Sequence, residues 1–402
     1  MSKVILFCAD GTWNGPGEPD DDNTASPPTN VFKLFLNVAG VDQPGTILLA
    51  KEQERTVLRA DGTVEQTTKY LHGVGDSSNP LVQLLGGALG AGLIARIVRG
   101  YTFISREYEK GDQILITGFS RGAYTARALA GMIAAQGLLD GTKNDLTDKT
   151  AAYRLGSAVW YQYRQSALQS QPSLLGKLAD IASDLPAFLQ KPVPQAQRIN
   201  APIEAVAVWD TVGSLGIPIY TAYGTTIDVF QFADTVLSPT VNRGYHAVAV
   251  DERRADFTPT LWTVSDPPDP RITQVLFPGC HSDIGGGFVG PGVETGLSDC
   301  TLGWMMKQLS GRGVKFLDPL VYKPRPNPCA TAHAAWLTGI WHDLPQGPRI
   351  FPAGLYLSNE ILSRAAGGMV VPDPTLVAAA YQPDNLQTYL VAGVPATGVT
   401  VI

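Results

Sequence analysis

Ser120 lies in a short motif bounded by glycines, between a predicted strand and a predicted helix. The motif reads Gly118-Phe119-Ser120-Arg121-Gly122; an apolar run over 113–117 precedes it and an alanine-rich stretch over 123–135 follows it. A sharp strand-to-helix turn strains the serine backbone, and residues larger than glycine beside it would clash. The turn would present the hydroxyl at the positive helix end, where the Arg121 backbone N–H could hold an oxyanion. The pattern predicts a nucleophilic serine; the alternative is a tight turn whose serine has no chemical role.

A serine hydroxyl needs a base, and a histidine is the usual one. His281 follows a strand predicted over 274–277 and begins the glycine-rich run His281-Ser282-Asp283-Ile284-Gly285-Gly286-Gly287. His246 falls in a helix predicted over 243–255, and two other histidines fall in an irregular tail. His281 is therefore the candidate base, with an ordinary surface histidine as the alternative. The histidines considered are His72, His246, His281, His333 and His342.

The base in turn needs a carboxylate that orients it. Asp210 follows a strand predicted over 203–208, so it should lie at the same sheet edge as Ser120. The resulting order, Ser120, Asp210, His281, is the order found in α/β-hydrolases. Asp283 is the competing acid, although its more ordinary role would be to hold the glycine-rich loop through backbone hydrogen bonds.

The loop after the first predicted strand could supply the second oxyanion donor. Gly11 and Thr12 offer a backbone N–H and a hydroxyl there, and the turn Gly73-Val74-Gly75 is the other choice. Asp10 and Asn14 either rigidify this loop or support the reaction. Asp10-Gly11-Thr12 also resembles half of a phosphatase signature of the haloacid-dehalogenase type, whose nucleophilic aspartate would stand where this chain has Cys8.

Alternating strand and helix patterns predict an α/β fold of the α/β-hydrolase type, with a doubly wound, mostly parallel sheet. Strand signals vanish between 140 and 200, which suggests a helical cap inserted over the carboxyl edge of the sheet. Residues 1–310 would form the catalytic domain with this cap. Within this domain a strand is also predicted over 258–264. Residues 311–402 would form an irregular C-terminal extension packed on the core.

Composition narrows the classes of function. The chain has 402 residues, of which 44% are hydrophobic and 16% charged, so it can form a large core. Its net charge of −6 argues against a nucleic-acid footprint. The cysteines lack a zinc-like spacing and are expected to be free thiols; no metal or cofactor is expected. The acidic run over 20–22 is interpreted as a solvated loop. We see no secretory signal or membrane span and expect a protein that is cytoplasmic as made, of unknown oligomeric state.

Several spaced motifs carry a family resemblance. The motifs are Phe7-Cys8-Ala9-Asp10-Gly11-Thr12-Trp13-Asn14, Gly73-Val74-Gly75, Gly118-Phe119-Ser120-Arg121-Gly122-Ala123, Val208-Trp209-Asp210-Thr211-Val212-Gly213, Asp251-Glu252-Arg253-Arg254 with Phe257 and Trp262, and the run from His281 to Gly287. With these motifs the chain resembles, over about residues 1–310, the α/β-hydrolase domain of type VI secretion phospholipase effectors and their uncharacterised relatives. The resemblance implies a Ser120, Asp210, His281 triad, hydrolysis of phospholipid acyl esters, and export as an effector without a Sec signal.

The sequence therefore predicts a serine hydrolase that cleaves carboxylic esters through an acyl-enzyme, acting on lipid, phospholipid or another ester. An esterase, a lipase and a phospholipase of the A type all fit this chemistry. The expected partners are the ester substrate and, transiently, a membrane surface. Two alternatives stay open: a binding protein on a hydrolase fold with an inactive site, and a phosphatase that depends on Asp10.

Overall fold

The architecture is taken from a computed structural model of the chain. The structure describes residues 2–11, 27–42, 52–73, 88–169, 196–212, 219–220, 226–227, 235–288, 295–337, 345–391 and 393–402. Predictions that fall on Thr12, Asn14, 20–22, the Val74-Gly75 pair and His342 lie outside these residues.

Nine of the described strands form one sheet. The strands are β1 Val4–Ala9, β2 Val41–Asp42, β3 Gln53–Leu58, β4 Val64–Leu71, β5 Gln113–Phe119, β8 Ile203–Trp209, β11 Gly244–Ala249, β12 Ile272–Phe277 and β13 Tyr356–Leu357. Their order in the sheet is β13-β12-β11-β8-β5-β1-β4-β3-β2. Pairing is parallel from β13 through to β4, and β3 and β2 add an antiparallel edge. The predicted α/β class with a mostly parallel sheet is confirmed.

Helices lie on both faces of this sheet. The described helices are α1 Asn30–Asn37, α2 Ala88–Glu107, α3 Arg121–Gln136, α4 Lys149–Gln169, α5 His281–Gly285, α6 Gly296–Ser310 and α7 Asn359–Ala366. Helices α2, α3 and α4 pack on one face of the sheet, and α1 and α6 pack on the other. Single 3₁₀ turns span Ala255–Phe257 and Ala335–Leu337.

The central strands are apolar on both faces, so consecutive residues enter different cores. In β1, Ile5 and Phe7 join the core under α2 and α3, whereas Leu6 and Cys8 join the core under α1 and α6. All four side chains are fully buried. This two-sided burial fixes the register of the strands, and the register places their carboxyl ends at one edge.

Three short stretches differ from their sequence predictions. The stretch predicted as a helix over 243–255 contains β11, with every residue buried, and residues 258–264 form no regular strand. A short apolar run fits a buried strand as well as a buried helix, and here pairing with β8 and β12 decides. His281 begins α5 rather than lying in an irregular loop.

Thr29 caps the N-terminus of α1, because its Oγ1 accepts the Phe32 N–H at 3.2 Å. The Asn30 amide instead donates to the carbonyl oxygens of Ile284 and Ser298 at 3.0 and 2.7 Å. Asn30 thereby joins α1 to α5 and α6.

The stretch predicted as a cap begins with α4, which packs against α2. Gly156 of α4 approaches α2 so closely that a Cβ would lie 2.8 Å from the Thr102 side chain. Trp160 is buried in the same core. Residues 170–195 lie outside the described residues, and β6 Leu138–Leu139 pairs with β7 Arg198–Ile199 across the stretch. The cap over the sheet edge stays a prediction.

Beyond residue 310 the chain forms α7, short strands and long irregular stretches. β13 pairs with β12 and extends the sheet, and its surroundings form a third core around Leu276, Leu357 and Tyr389. Small antiparallel pairs in this part of the chain join β14 Met369–Val370 to β15 Ala379–Ala380, and β16 Leu390–Val391 to β17 Val394–Pro395. A similar pair earlier in the chain joins β9 Ile219–Tyr220 to β10 Thr226–Ile227. Among the described residues no helix is both long and apolar enough to cross a membrane.

Candidate active site

Ser120 occupies the turn between β5 and α3 with a strained backbone. Its φ is 57° and its ψ is −122°, a region that a residue with a Cβ rarely adopts. The Ser120 N–H donates to the Trp209 carbonyl at 3.2 Å, which attaches the turn to the end of β8. The serine side chain is buried at the N-terminus of α3. This geometry matches the sharp turn that the glycine-bounded motif predicts.

Gly118 and Gly122 have no room for a side chain, because neighbouring backbone atoms occupy the space that it would need. A Cβ on Gly118 would lie 2.3 Å from the Gly122 carbonyl oxygen, and one on Gly122 would lie 2.1 Å from the Ala9 carbonyl oxygen. The second contact sets the first turn of α3 against the end of β1. The sharp turn and the first predicted loop are therefore neighbours.

Asp210 lies directly after β8 and is fully buried, with a positive φ of 35°. Its N–H donates to the Ala247 carbonyl at 2.7 Å, and its Oδ1 accepts the Ala249 N–H at 2.9 Å. Both contacts are to β11, the neighbouring strand. A buried carboxylate in this backbone conformation is held by the sheet itself.

His281 meets Asp210 through its inner ring nitrogen. His281 Nδ1 and Asp210 Oδ2 are 2.5 Å apart, across 71 residues of sequence. Burial lowers the pKa of His281 below its ordinary value, and the hydrogen bond to Asp210 opposes that shift. A neutral imidazole whose Nδ1–H is held by a carboxylate keeps Nε2 as a proton acceptor, which is the arrangement of a general base.

Two aromatic rings fix the plane of the His281 imidazole. The Phe119 ring lies 4.6 Å from it, centroid to centroid, and the Phe257 ring lies 5.0 Å from it in an edge-on contact. Phe119 is the residue before Ser120, so this contact brings the histidine to the β5–α3 turn. The His281 backbone N–H donates to Glu252 at 3.2 Å, and Arg254 pairs with the same carboxylate at 2.7 Å.

Arg349 is a site residue that the sequence did not reveal. Its guanidinium pairs with both carboxylate oxygens of Asp210, at 2.7 and 2.9 Å. Burial by itself would raise the pKa of Asp210, but Arg349 and then His281 lower it well below its usual range. No motif or periodicity marks Arg349 in the proline-rich tail, so only the folded chain exposes this role.

The sequence prediction that placed His246 in a helix was wrong. His246 lies in β11, and its Nε2 accepts the Thr211 N–H at 3.0 Å. Burial, then the Arg127 charge, lower the pKa of His246 to about 3, so the ring is neutral. His246 therefore holds the turn that follows Asp210.

Asp10 is buried at the end of β1 and accepts three hydrogen bonds. They come from the Gly11 N–H, the Thr29 hydroxyl and the Tyr70 hydroxyl, at 2.7, 2.8 and 2.7 Å. Burial raises the pKa of Asp10 to about 7 despite these bonds. A carboxyl group so engaged supports the loop, and Cys8 occupies the position where the phosphatase signature has its nucleophilic aspartate.

The oxyanion donors predicted from sequence are only partly described. Arg121 begins α3 beside Ser120, which suits its backbone N–H for the role. The Gly11 N–H is occupied by Asp10. Thr12 lies outside the described residues, so its part stays a prediction.

Asp283 is turned to other partners than the His281 ring. It accepts the Cys280 N–H at 3.0 Å and the His333 N–H at 3.0 Å, and it pairs with His333 Nδ1 at 2.7 Å. This bonding fits the loop-holding role more closely than the role of triad acid. Among the described residues no group of His, Cys, Asp and Glu side chains is arranged to hold a metal ion.

Known proteins share parts of this chain. An uncharacterized Saccharomyces cerevisiae protein, YEL023C, is 27% identical over 261 residues, which cover 65% of this chain and 33% of that protein. The chain thus spans about one third of the length of this curated relative.

Two solved structures are also similar. One is the Tle1 effector bound to the VgrG spike of the type VI secretion system, with 16% identity and a TM-score of 0.38 over 73% of this chain and 53% of that one. The other is an uncharacterized Pseudomonas aeruginosa protein, with 17% identity and a TM-score of 0.39 over 78% of this chain and 46% of that one. Neither TM-score is high enough to bear on fold or function.

The decisive comparison is with a family model. The model for the catalytic domain of Tle1-like phospholipase effectors of type VI secretion matches residues 3–308. The matched range contains Ser120, Asp210 and His281 and ends before Arg349. A match over this much of the sequence shows that the chain belongs to the Tle1-like phospholipase effector family and carries its catalytic domain.

Proposed function

We propose that this protein is a serine hydrolase that cleaves the carboxylic esters of lipids, with phospholipid acyl esters as its main substrates. Ser120 is the nucleophile, His281 the base and Asp210 the orienting acid. The observation that carries the proposal is the 2.5 Å contact between His281 Nδ1 and Asp210, at the same sheet edge as the strained Ser120 turn.

The first half of the reaction forms an acyl-enzyme. His281 Nε2 takes the Ser120 hydroxyl proton while Oγ attacks the ester carbonyl carbon. The Arg121 N–H, at the positive end of α3, stabilises the oxyanion of the tetrahedral intermediate. His281 then returns the proton to the leaving alcohol, and the C–O ester bond breaks.

The second half uses water as the nucleophile. His281 accepts a proton from water, the hydroxide attacks the acyl carbon, and Ser120 leaves with the proton from His281. Asp210 keeps the proton of the neutral imidazole on Nδ1 and stabilises the imidazolium in both halves. The products are one alcohol and one carboxylic acid.

Family membership supports the lipid substrate and the export route of the proposal. Phospholipase effectors give the class of substrate, and a type VI effector would leave the cell without a Sec signal. A membrane surface would then be a transient partner that supplies the substrate. Because the chain matches only part of its relatives, the activity, substrate and export of the whole protein belong to this proposal.

The nucleophile is tested by replacing Ser120 with alanine. We expect ester turnover on p-nitrophenyl butyrate to fall about 10⁴-fold or more, because the residual rate comes only from binding and oxyanion stabilisation. Ser105→Ala is the matched control, since Ser105 is also a buried serine but lies on α2. Near wild-type turnover by Ser120→Ala would refute the proposed nucleophile.

The substrate class is tested on the wild-type enzyme with three kinds of ester. Vesicles of phosphatidylcholine and phosphatidylglycerol, emulsified triglyceride and short p-nitrophenyl esters are compared, with Ser120→Ala as the blank. Release of fatty acid from the vesicles at the highest kcat/KM would support a phospholipase. Equal turnover of triglyceride and phospholipid would reject a dedicated phospholipase and leave a general lipid esterase.

A further inference from the structure

The C-terminal segment, residues 311–402, sends one charged side chain into the proposed active site. Arg349 is buried, and its Nη1 also donates to the Ala249 carbonyl at 2.8 Å. Its Nη2 donates to the Phe257 carbonyl as well as to Asp210. The guanidinium is therefore fixed by two backbone carbonyls while it holds the carboxylate.

Each oxygen of Asp210 is shared between Arg349 and one other donor. Oδ1 accepts from Arg349 Nη1 and the Ala249 N–H, and Oδ2 accepts from Arg349 Nη2 and His281 Nδ1. A bidentate guanidinium sets the plane of a carboxylate as well as neutralising its charge. The direction in which Oδ2 meets the imidazole then depends on Arg349.

We propose that Arg349 is a positioning residue of this hydrolase, which fixes the orientation of the Asp210 carboxylate and weakens its hold on the His281 imidazolium. The inference rests on the proposed triad. It also implies that the active site is completed by a segment beyond the family match, which ends at residue 308.

Other charges near the dyad do not duplicate this role. Glu252 accepts the His281 backbone N–H, but its carboxylate is already paired with Arg254. His246 lies near Asp210, and burial with the Arg127 charge keeps it neutral by lowering its pKa. Within the described residues, Arg349 is the side chain that bonds to both oxygens of Asp210.

The sign of the effect on His281 follows from sharing one carboxylate between two cations. When Arg349 becomes neutral, Asp210 interacts more strongly with the imidazolium, so the pKa of His281 should rise. A base with a higher pKa is protonated at higher pH. The acidic limb of the pH profile of kcat/KM should therefore move to higher pH.

The experiment compares Arg349→Met and Arg349→Lys with Arg364→Met. Arg364 is a matched control because it is equally buried in the same segment but bonds to the carbonyls of Pro328, Ala330 and Val371. Activity is measured on p-nitrophenyl butyrate across pH, per mole of folded protein.

We expect Arg349→Met to lower kcat about 10²-fold while KM changes little, because a misdirected imidazole costs roughly that much. Its acidic limb should move to higher pH. Arg349→Lys keeps the charge, so its limb should stay near that of the wild type while kcat falls. If kcat and the acidic limb of both variants equal those of Arg364→Met, the proposal is overturned.

A readout without turnover separates this proposal from the proposed function. The pKa of His281 is measured by NMR in protein labelled at histidine Cε1, with His281→Asn to assign the signal. An unchanged pKa in folded Arg349→Met overturns the role of Arg349 even where Ser120→Ala is inactive. A raised pKa supports the effect of Arg349 on the Asp210–His281 pair, and Ser120→Ala decides separately whether that pair serves a hydrolase. If Arg349→Met does not fold, Arg349→Lys decides the question alone. A wild-type kcat in Arg349→Lys overturns the proposal, whereas a reduced kcat with an unchanged acidic limb supports it.

Discussion

At the scale of single residues, the site combines a strained backbone with a tightly paired carboxylate. Ser120 and Asp210 are the described non-glycine residues with positive φ, at 57° and 35°. Such conformations persist only where the surrounding structure enforces them. Here parallel strands enforce both, because the Ser120 and Asp210 N–H groups donate to the ends of neighbouring strands.

Asp10→Asn gives a prediction on stability. Burial raises the pKa of Asp10 to about 7, so between its unfolded value near 4 and about 7 the native state binds more protons. Stability contributed by this proton is therefore lost as pH rises through about 7. Asparagine carries no charge, so we expect the Tm of the variant, relative to wild type, to rise by a few degrees from about pH 5 to about pH 8.

Thermal unfolding of both proteins at several pH values measures this difference. Asp112→Asn is a useful control, because Asp112 is also a buried aspartate but pairs with Lys3 at 2.9 Å. A constant Tm difference between Asp10→Asn and wild type would contradict the buried protonation of Asp10.

The sequence predicted some site residues and missed others for a physical reason. Asp210 and His281 were predicted to meet because parallel strands deliver their carboxyl ends to one edge, and their side chains lie 2.5 Å apart. Arg349 was missed because its partner is 139 residues away and no period or motif relates them. Contacts of this kind depend on how an irregular segment packs, which local patterns do not encode.

At the scale of elements, strands flanked by clear turns were predicted well and short apolar runs were not. β5 and α3 match their predicted ranges closely, because an aliphatic run and an alanine-rich run have distinct periods. β11 was taken for a helix because its small and apolar residues fit either structure. Pairing along both of its edges, which is a tertiary property, decides for the strand.

Gly285→Ala tests how α5 is joined to the Ser120 turn. A Cβ on Gly285 would lie 2.0 Å from the Phe119 ring, which itself packs on His281. Overpacking of this kind costs about 1–3 kcal/mol and would displace the imidazole. We expect lower Tm and a fall in kcat of about tenfold or more, since small displacements of catalytic groups are costly.

Gly303→Ala is the matched control for this prediction. Gly303 lies within α6, and a Cβ there would meet nothing within 4 Å. Alanine in a helix interior should stabilise the protein by about 0.5–1 kcal/mol without changing kcat. Equal Tm and kcat for the two variants would show that Phe119 does not hold α5 in place.

At the scale of the whole molecule, the site is assembled from distant parts of the chain. Residues near positions 10, 120, 210 and 281 come from the matched catalytic domain, whereas His333 and Arg349 come from beyond it. β13 of the same segment extends the sheet at β12. The described contacts therefore join this segment to the matched domain at Asp283 and Asp210, and the domain bounds drawn from sequence alone remain a prediction.

The reactivity of the cysteine thiols can test whether these parts of the fold open together. Cys8, Cys280 and Cys300 are buried, and Cys329 is exposed. Burial raises the pKa of the Cys300 thiol to about 12 and also raises the pKa of the Cys8 and Cys280 thiols, so thiolate is scarce at all three. We therefore expect a thiol reagent such as DTNB to label one thiol rapidly in the native protein and all four in urea.

Cys329→Ser identifies the rapid thiol, because the variant should lose the fast phase entirely. The three remaining thiols lie in different parts of the fold: Cys8 in β1, Cys280 beside His281 and Cys300 in α6. If the C-terminal segment and the matched domain open together, these thiols should become reactive at one urea concentration. Labelling of Cys280 well before Cys8 would instead show that the sheet edge with the proposed active site opens separately. Cys280 adjoins α5, which the C-terminal segment contacts in two ways. His333 pairs with Asp283 of α5, and Arg349 pairs with Asp210, which in turn contacts His281.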